Sequence, residues 1–91
     1  MFVIGVYDIP DDKRRGRVAR ALDDVATRVQ YSVFEGQMEE DTFHHLVARL
    51  ESLILPEEDR IRVYRLCATC KRQTVVLGKG KLLEIPDVIV L

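Results

Sequence analysis

Residues 2–8, FVIGVYD, run into Ile9, Pro10 and the pair Asp11–Asp12, and this junction constrains the fold more than any other stretch of the chain. A short run that is β-branched and apolar throughout reads as a buried strand. Pro10 stops it, and the two aspartates offer side-chain acceptors that start a helix. The next residues place Val18, Ala21, Leu22 and Val25 at i, i+3, i+4 and i+7, a single apolar stripe. Lys13, Arg17 and Arg20 fall on roughly the opposite face, Arg14 lies nearer the stripe and Arg15 lies at its edge. A buried strand thus delivers a carboxylate, Asp8, to the end where loops open, and cationic side chains crowd beside it.

The remaining segments repeat this alternation. RVQYSVFEGQM, residues 28–38, interleaves Val29, Tyr31 and Val33 with Gln30, Ser32 and Phe34. It fits one long strand, or two short ones turning near Tyr31 and Ser32. EEDTFHHLVARLESLIL, residues 39–55, is a second helix with acids leading it, which suits the positive end of its dipole. Its stripe is Phe43, Leu46, Val47 and Leu50. RIRVYRL, residues 60–66, alternates Ile61 and Val63 against Arg62 and Tyr64, and QTVVLG, residues 73–78, and the terminal VIVL read as further strand material. The order β-α-β(β)-α-β-β is the split βαβ, ferredoxin-like α+β plan, with both helices on one face of an antiparallel sheet. Phe34, Tyr64 and Leu66 are expected on the other face, leaving it partly apolar. A partly apolar face and an apolar C-terminal strand point to a second copy as partner.

Composition narrows the class. The 91 residues are expected to form a single domain, 1–91. A chain this small buries only somewhat more than ~60% of its unfolded surface and gains from oligomerising. Net charge is −1, so nucleic-acid binding must come from a local patch. Ten of the fourteen basic residues are arginine, which suits planar contact with phosphate or carboxylate. No apolar run reaches the ~20 residues of a membrane span, and the start MFVIGVYD carries no basic leader, so a cytoplasmic location and reduced cysteines are expected.

Several constellations bear on chemistry. Asp8 is either a loop or helix-capping aspartate or a ligand for Mg²⁺, a cation that prefers oxygen donors and keeps several waters. If its strand lies near a two-fold axis, a second Asp8 joins it, and two carboxylates share one metal able to polarise a phosphate or generate hydroxide. The arginine cluster is either a solvated face or a set of phosphate contacts. Cys67 and Cys70 form a CxxC, half of a zinc site. Both sit between two predicted strands and read as reduced turn cysteines, with a structural metal or a disulfide as the alternatives. His44 and His45 are adjacent, without the i, i+4 spacing of a helical metal pair. GKGK, residues 78–81, has no Ser or Thr after the lysine, and reads as a turn rather than a phosphate loop.

Two blocks, YDIPDDKRRGRVARAL and RVQYSVFEG, together resemble the second universal CRISPR-associated protein family, the small endonucleases of spacer acquisition. The resemblance implies a ferredoxin-like homodimer with facing sheets and an additional C-terminal strand that can pair with the partner. It also implies two strands joined tightly at Ser32. It makes Asp8 the catalytic Mg²⁺ ligand, and Arg15, Arg17, Arg28 and Phe34 the nucleic-acid-binding positions. The implied function is CRISPR adaptation, through Mg²⁺-dependent hydrolysis of single-stranded RNA or double-stranded DNA. The alternative is a non-catalytic dimeric scaffold that binds duplex DNA and the CRISPR integrase.

Overall fold

The computed structural model describes residues 1–78 and the backbone of residues 89–90. β1 (Phe2–Asp8) leads to α1 (Asp12–Asp23), β2 (Thr27–Gln30), β3 (Val33–Gln37), α2 (Glu40–Leu53) and β4 (Arg60–Leu66), followed by a short helix α3 (Ala68–Arg72) and strands β5 (Val75–Val76) and β6 (Ile89–Val90). The first four strands form an antiparallel sheet in the order β2-β3-β1-β4. β5 and β6 form a separate parallel pair, so this chain's own β5 is the neighbour of the C-terminal strand here. Of the GKGK turn, all but Gly78 lies outside the described residues.

Asp11 caps α1, its Oδ2 accepting the Arg14 backbone N–H at 2.9 Å. This satisfies one of the amide donors that a helix start leaves unpaired. The α1 stripe packs with Leu46 and Leu50 of α2 against Val3, Tyr7 and Phe34 of the sheet to form the core. Opposed residues in an antiparallel sheet share a face, so the register Gly5↔Phe34 and Gly5↔Val63 sets the helix-covered side. The opposite side carries Ile4, Val6, Val33, Tyr64 and Leu66, and at its end Asp8, in register with Arg60.

Two sequence expectations are corrected, those for the face of Phe34 and for the cysteines. Phe34 belongs to the helix face, not the other one. The eleven-residue segment is two strands, as the resemblance implies, and Val29 is the extra residue of a bulge between Arg28↔Phe34 and Gln30↔Val33. The bulge breaks the alternation along the segment, which is why its faces could not be read by parity alone. The cysteines are not in a plain turn between strands either. Cys67 is the N-cap of α3 and Cys70 lies within it. Among the described residues, no helix is long and apolar enough to cross a membrane.

Candidate nucleic-acid interface

β1 is an inner strand of the sheet, and Asp8 is its last residue. Alternation turns Tyr7 into the core, 6% exposed, and leaves Asp8 exposed on the other face. Among the described residues the Asp8 carboxylate takes part in no salt bridge or side-chain hydrogen bond. Its two oxygens are therefore open to a cation or to solvent. A hard carboxylate of this kind suits Mg²⁺. Among the described residues no three His, Cys, Asp or Glu side chains converge on a point. The described residues thus offer Mg²⁺ fewer than three protein ligands at one point, and the fit requires water, phosphate oxygen or a second copy for the rest.

Beside Tyr7 opens a cleft of about 300 Å³ whose wall includes Asp12, Arg15, Arg28, Tyr31 and Ser32. The Tyr7 amide donates to the Ser32 carbonyl at 3.2 Å, which ties the β2–β3 turn to the end of β1. Arg15 reaches back from α1, its Nη1 donating to the Ile9 carbonyl at 3.0 Å, while Nη2 pairs with Asp12. It therefore braces the loop that follows Asp8. Arg28 lies across the ring of Phe34, with its guanidinium carbon 5.3 Å from the centroid. Such a cation–π contact fixes where the charge sits.

Phe34 itself is fully buried and lies 5.9 Å from the ring of Tyr7. A base cannot stack on it, so its assignment as a nucleic-acid contact is corrected: it packs in the core and holds Arg28. The exposed aromatic side chain at the cleft is Tyr31, 87% exposed and held at a positive φ of 31°. A bulky residue rarely adopts that backbone conformation. Sequence reasoning assigned Tyr31 to a turn and gave it no role, and a large aromatic at the turn of a tight hairpin was the available signal.

The other basic residues separate. Arg17 is exposed on a different side of α1 and lines a second hollow with Arg20, Asp23, Asp24 and Arg49, so the fold does not bring it to Arg15 and Arg28. Arg14 forms a two-pronged pair with Asp59, Nε–Oδ2 2.7 Å and Nη2–Oδ1 3.0 Å, in which the Asp59 side chain is wholly inaccessible. The Arg14 guanidinium holds the Asp59 carboxyl below its ordinary value, and is itself held more firmly protonated by that carboxylate. This pair is structural. His44 and His45 are exposed, and His44 sits 3.5 Å from Glu40.

Residues 1–74 match the family described as CRISPR associated protein Cas2. The CRISPR-associated endoribonuclease Cas2 1 of Chloroflexus aurantiacus is 43% identical over 81 residues, covering 88% of this chain and 87% of that protein. The CRISPR-associated endoribonuclease Cas2 of Thermus thermophilus is 39% identical over 89 residues, covering 96% and 95%. The crystal structure of Streptococcus pyogenes Cas2 superposes with a TM-score of 0.73 at 34% identity, over 86% of this chain and 100% of that one.

Proposed function

The chain belongs to the Cas2 family of CRISPR-associated proteins, and from that premise we propose that it is a Mg²⁺-dependent endonuclease of CRISPR adaptation, acting in the cytoplasm as a ferredoxin-like homodimer with facing sheets. RNA is the substrate favoured by the names of its relatives, both endoribonucleases. Double-stranded DNA is the other candidate. The observation that carries the reading is the placement of Asp8: an exposed carboxylate at the end of an inner strand, one residue along the chain from Tyr7, which lines the cleft walled by Arg15 and Arg28. An inner strand brings its end near the middle of the sheet, where a two-fold axis between facing sheets would bring the two copies of Asp8 together.

Asp8 would hold the Mg²⁺, which when bound supplies polarisation of the scissile phosphate and acidification of a water. The chain's own side chains do the remaining work. Arg28 would neutralise a phosphate at the cleft. Arg15, through the Ile9 carbonyl, would keep the loop after Asp8 from shifting. Tyr31 would offer its exposed ring to a base, a contact that any base satisfies. Arg17, on its own face, would meet the backbone of a longer strand or duplex.

The test compares the parent with Asp8→Asn on RNA and duplex DNA, with and without Mg²⁺, and in spacer insertion with the cognate integrase. Cleavage should disappear in the variant while its fold and dimer persist. A variant that cuts as fast as the parent removes Asp8 from the chemistry. One observation favours the scaffold as a second reading: among the described residues no three candidate ligand side chains converge to hold a metal. Lost cutting with retained insertion would mark a dimer whose contribution to adaptation is to hold duplex DNA and the integrase.

A further inference from the structure

Cys67 and Cys70 stand apart from everything described above. The register pairs Leu66 with Phe2 and Arg60 with Asp8, so the cysteines follow the end of β4 that is remote from Asp8. Six residues of strand put about 20 Å between those ends. Buried cysteines behave as inert apolar side chains, whereas exposed ones are open to exchange chemistry. Both are exposed, and no disulfide joins them.

Their geometry is that of a pair. The two Sγ atoms lie 3.5 Å apart on one turn of α3. Closing that gap to a bond of ~2.05 Å needs only about 1.5 Å of movement, within reach of side-chain rotation. The Cys67 sulfur also accepts the Cys70 backbone N–H at 3.5 Å. That donor and the Cys70 thiol lower the Cys67 pKa, and the neighbouring Cys67 sulfur raises that of Cys70. The two are thus differentiated into an attacking and a resolving thiol. Among the described residues no third metal-ligating side chain joins the pair, and the arrangement they make is that of a dithiol.

We infer that Cys67 and Cys70 form a redox-active dithiol whose substrates are low-mass disulfides of the glutathione class, and which closes to an intramolecular disulfide. The Cys67 thiolate attacks one sulfur of the small disulfide, forming a mixed disulfide and releasing one small thiolate. The Cys70 thiol loses its proton and attacks the Cys67 sulfur, forming the Cys67–Cys70 bond and releasing the second thiolate. Two protein thiols lose two electrons and two protons, and the small disulfide gains the electrons. The disulfide would close the first turn of α3, the segment that joins β4 to β5.

The full chain is equilibrated with reduced and oxidised glutathione at graded ratios, quenched in acid, alkylated and weighed. Both alkylatable thiols should vanish together, with a loss of two hydrogens and no glutathione retained. Cys70→Ser should stop at one glutathione adduct on Cys67, and Cys67→Ser should react several-fold more slowly. A parent that retains glutathione on either cysteine without closing the disulfide overturns the proposal, and so does Zn²⁺ released from the thiols of the purified chain. Equal rates for the two variants overturn the division into attacking and resolving thiols.

Discussion

Arg14 and Arg15 are neighbours in sequence and serve different ends, because a helix turns consecutive side chains through about 100°. Arg14 points to Asp59 and is half-buried, while Arg15 points to the β1–α1 loop. Asp59 also accepts the Leu55 amide at 2.9 Å, so one carboxylate fastens α1 to the turn after α2. Removing one member of such a pair leaves the other charge without its partner, and Asp59→Ala should lower the melting temperature by several degrees. The pH dependence has a definite sign. Arg14 depresses the folded-state pKa of Asp59 below its ordinary 3.8. The backbone N–H of Arg14 likewise depresses Asp11. As pH falls the unfolded chain takes up those protons first, so stability is full above the ordinary carboxylate range and is lost as pH drops through the folded pKa values. Urea midpoints measured from neutral to strongly acid pH should show this decline, and it should be shallower in Asp59→Asn. Arg28→Ala makes the contrasting residue-scale prediction, with stability little changed and nucleic-acid binding weakened. Its log–log salt slope should flatten by roughly one unit, the share of a single neutralised phosphate. Tyr31→Ala should weaken single-strand binding by about 1–3 kcal/mol if one base stacks there. Unchanged affinity would return Tyr31 to the role of a turn residue.

Elements were legible in proportion to the periodicity their residues carry. The uninterrupted apolar run of β1 and the i, i+3, i+4 stripes of α1 and α2 leave one solution each, and β4 alternates over its whole length. Arg60–Leu66 is found where that alternation puts it. α3 was not legible, because ATCKR is too short to show a stripe and its cap is a cysteine sulfur rather than an oxygen. Phe34 was misplaced because the bulge at Val29 destroys parity in the segment that carries it. The candidate site divides in the same way. Asp8 and Arg15 follow from one strand–helix junction and were readable there. That Arg28 joins Arg15 while Arg17 does not depends on the β2–β3 hairpin folding over the end of β1, a tertiary fact that spacing does not encode. Element packing also sets a test with an internal control. An added Cβ at Gly36 would meet the Val25 carbonyl oxygen at 2.9 Å and Ala26 Cα at 3.2 Å, both backbone atoms that cannot rotate away. Gly36→Ala should therefore cost about 1–3 kcal/mol by forcing β3 from the end of α1. A Cβ at Gly16, within α1, meets nothing within 4 Å. Gly16→Ala should stabilise by roughly 0.5–1 kcal/mol through helix propensity alone. Thermal melts of the two should move in opposite directions.

At the scale of the whole molecule, the two faces of the sheet differ in what they leave for a second copy. The helix face is consumed by the core. The other face presents Ile4, Val6, Val33 and Leu66, all half-buried, with Tyr64 46% exposed. This is the face on which Asp8 lies, so the proposed dimer and the proposed metal site stand or fall on the same surface. Val6→Glu separates them from folding. Val6 opposes Arg62 across β4, and a glutamate there gains an opposite charge in its own chain, which a sheet tolerates. Pressed against a facing sheet, the same carboxylate would be taken out of water with one shared partner, a loss the interface does not recover. The variant should keep its circular dichroism spectrum, fall to monomer mass by light scattering, and lose cleavage together with the dimer. A variant that stays dimeric and active would move the interface to another surface. A monomer that cuts at the parent rate would show that one Asp8 suffices, and a metal shared across a two-fold axis would have no place in the mechanism.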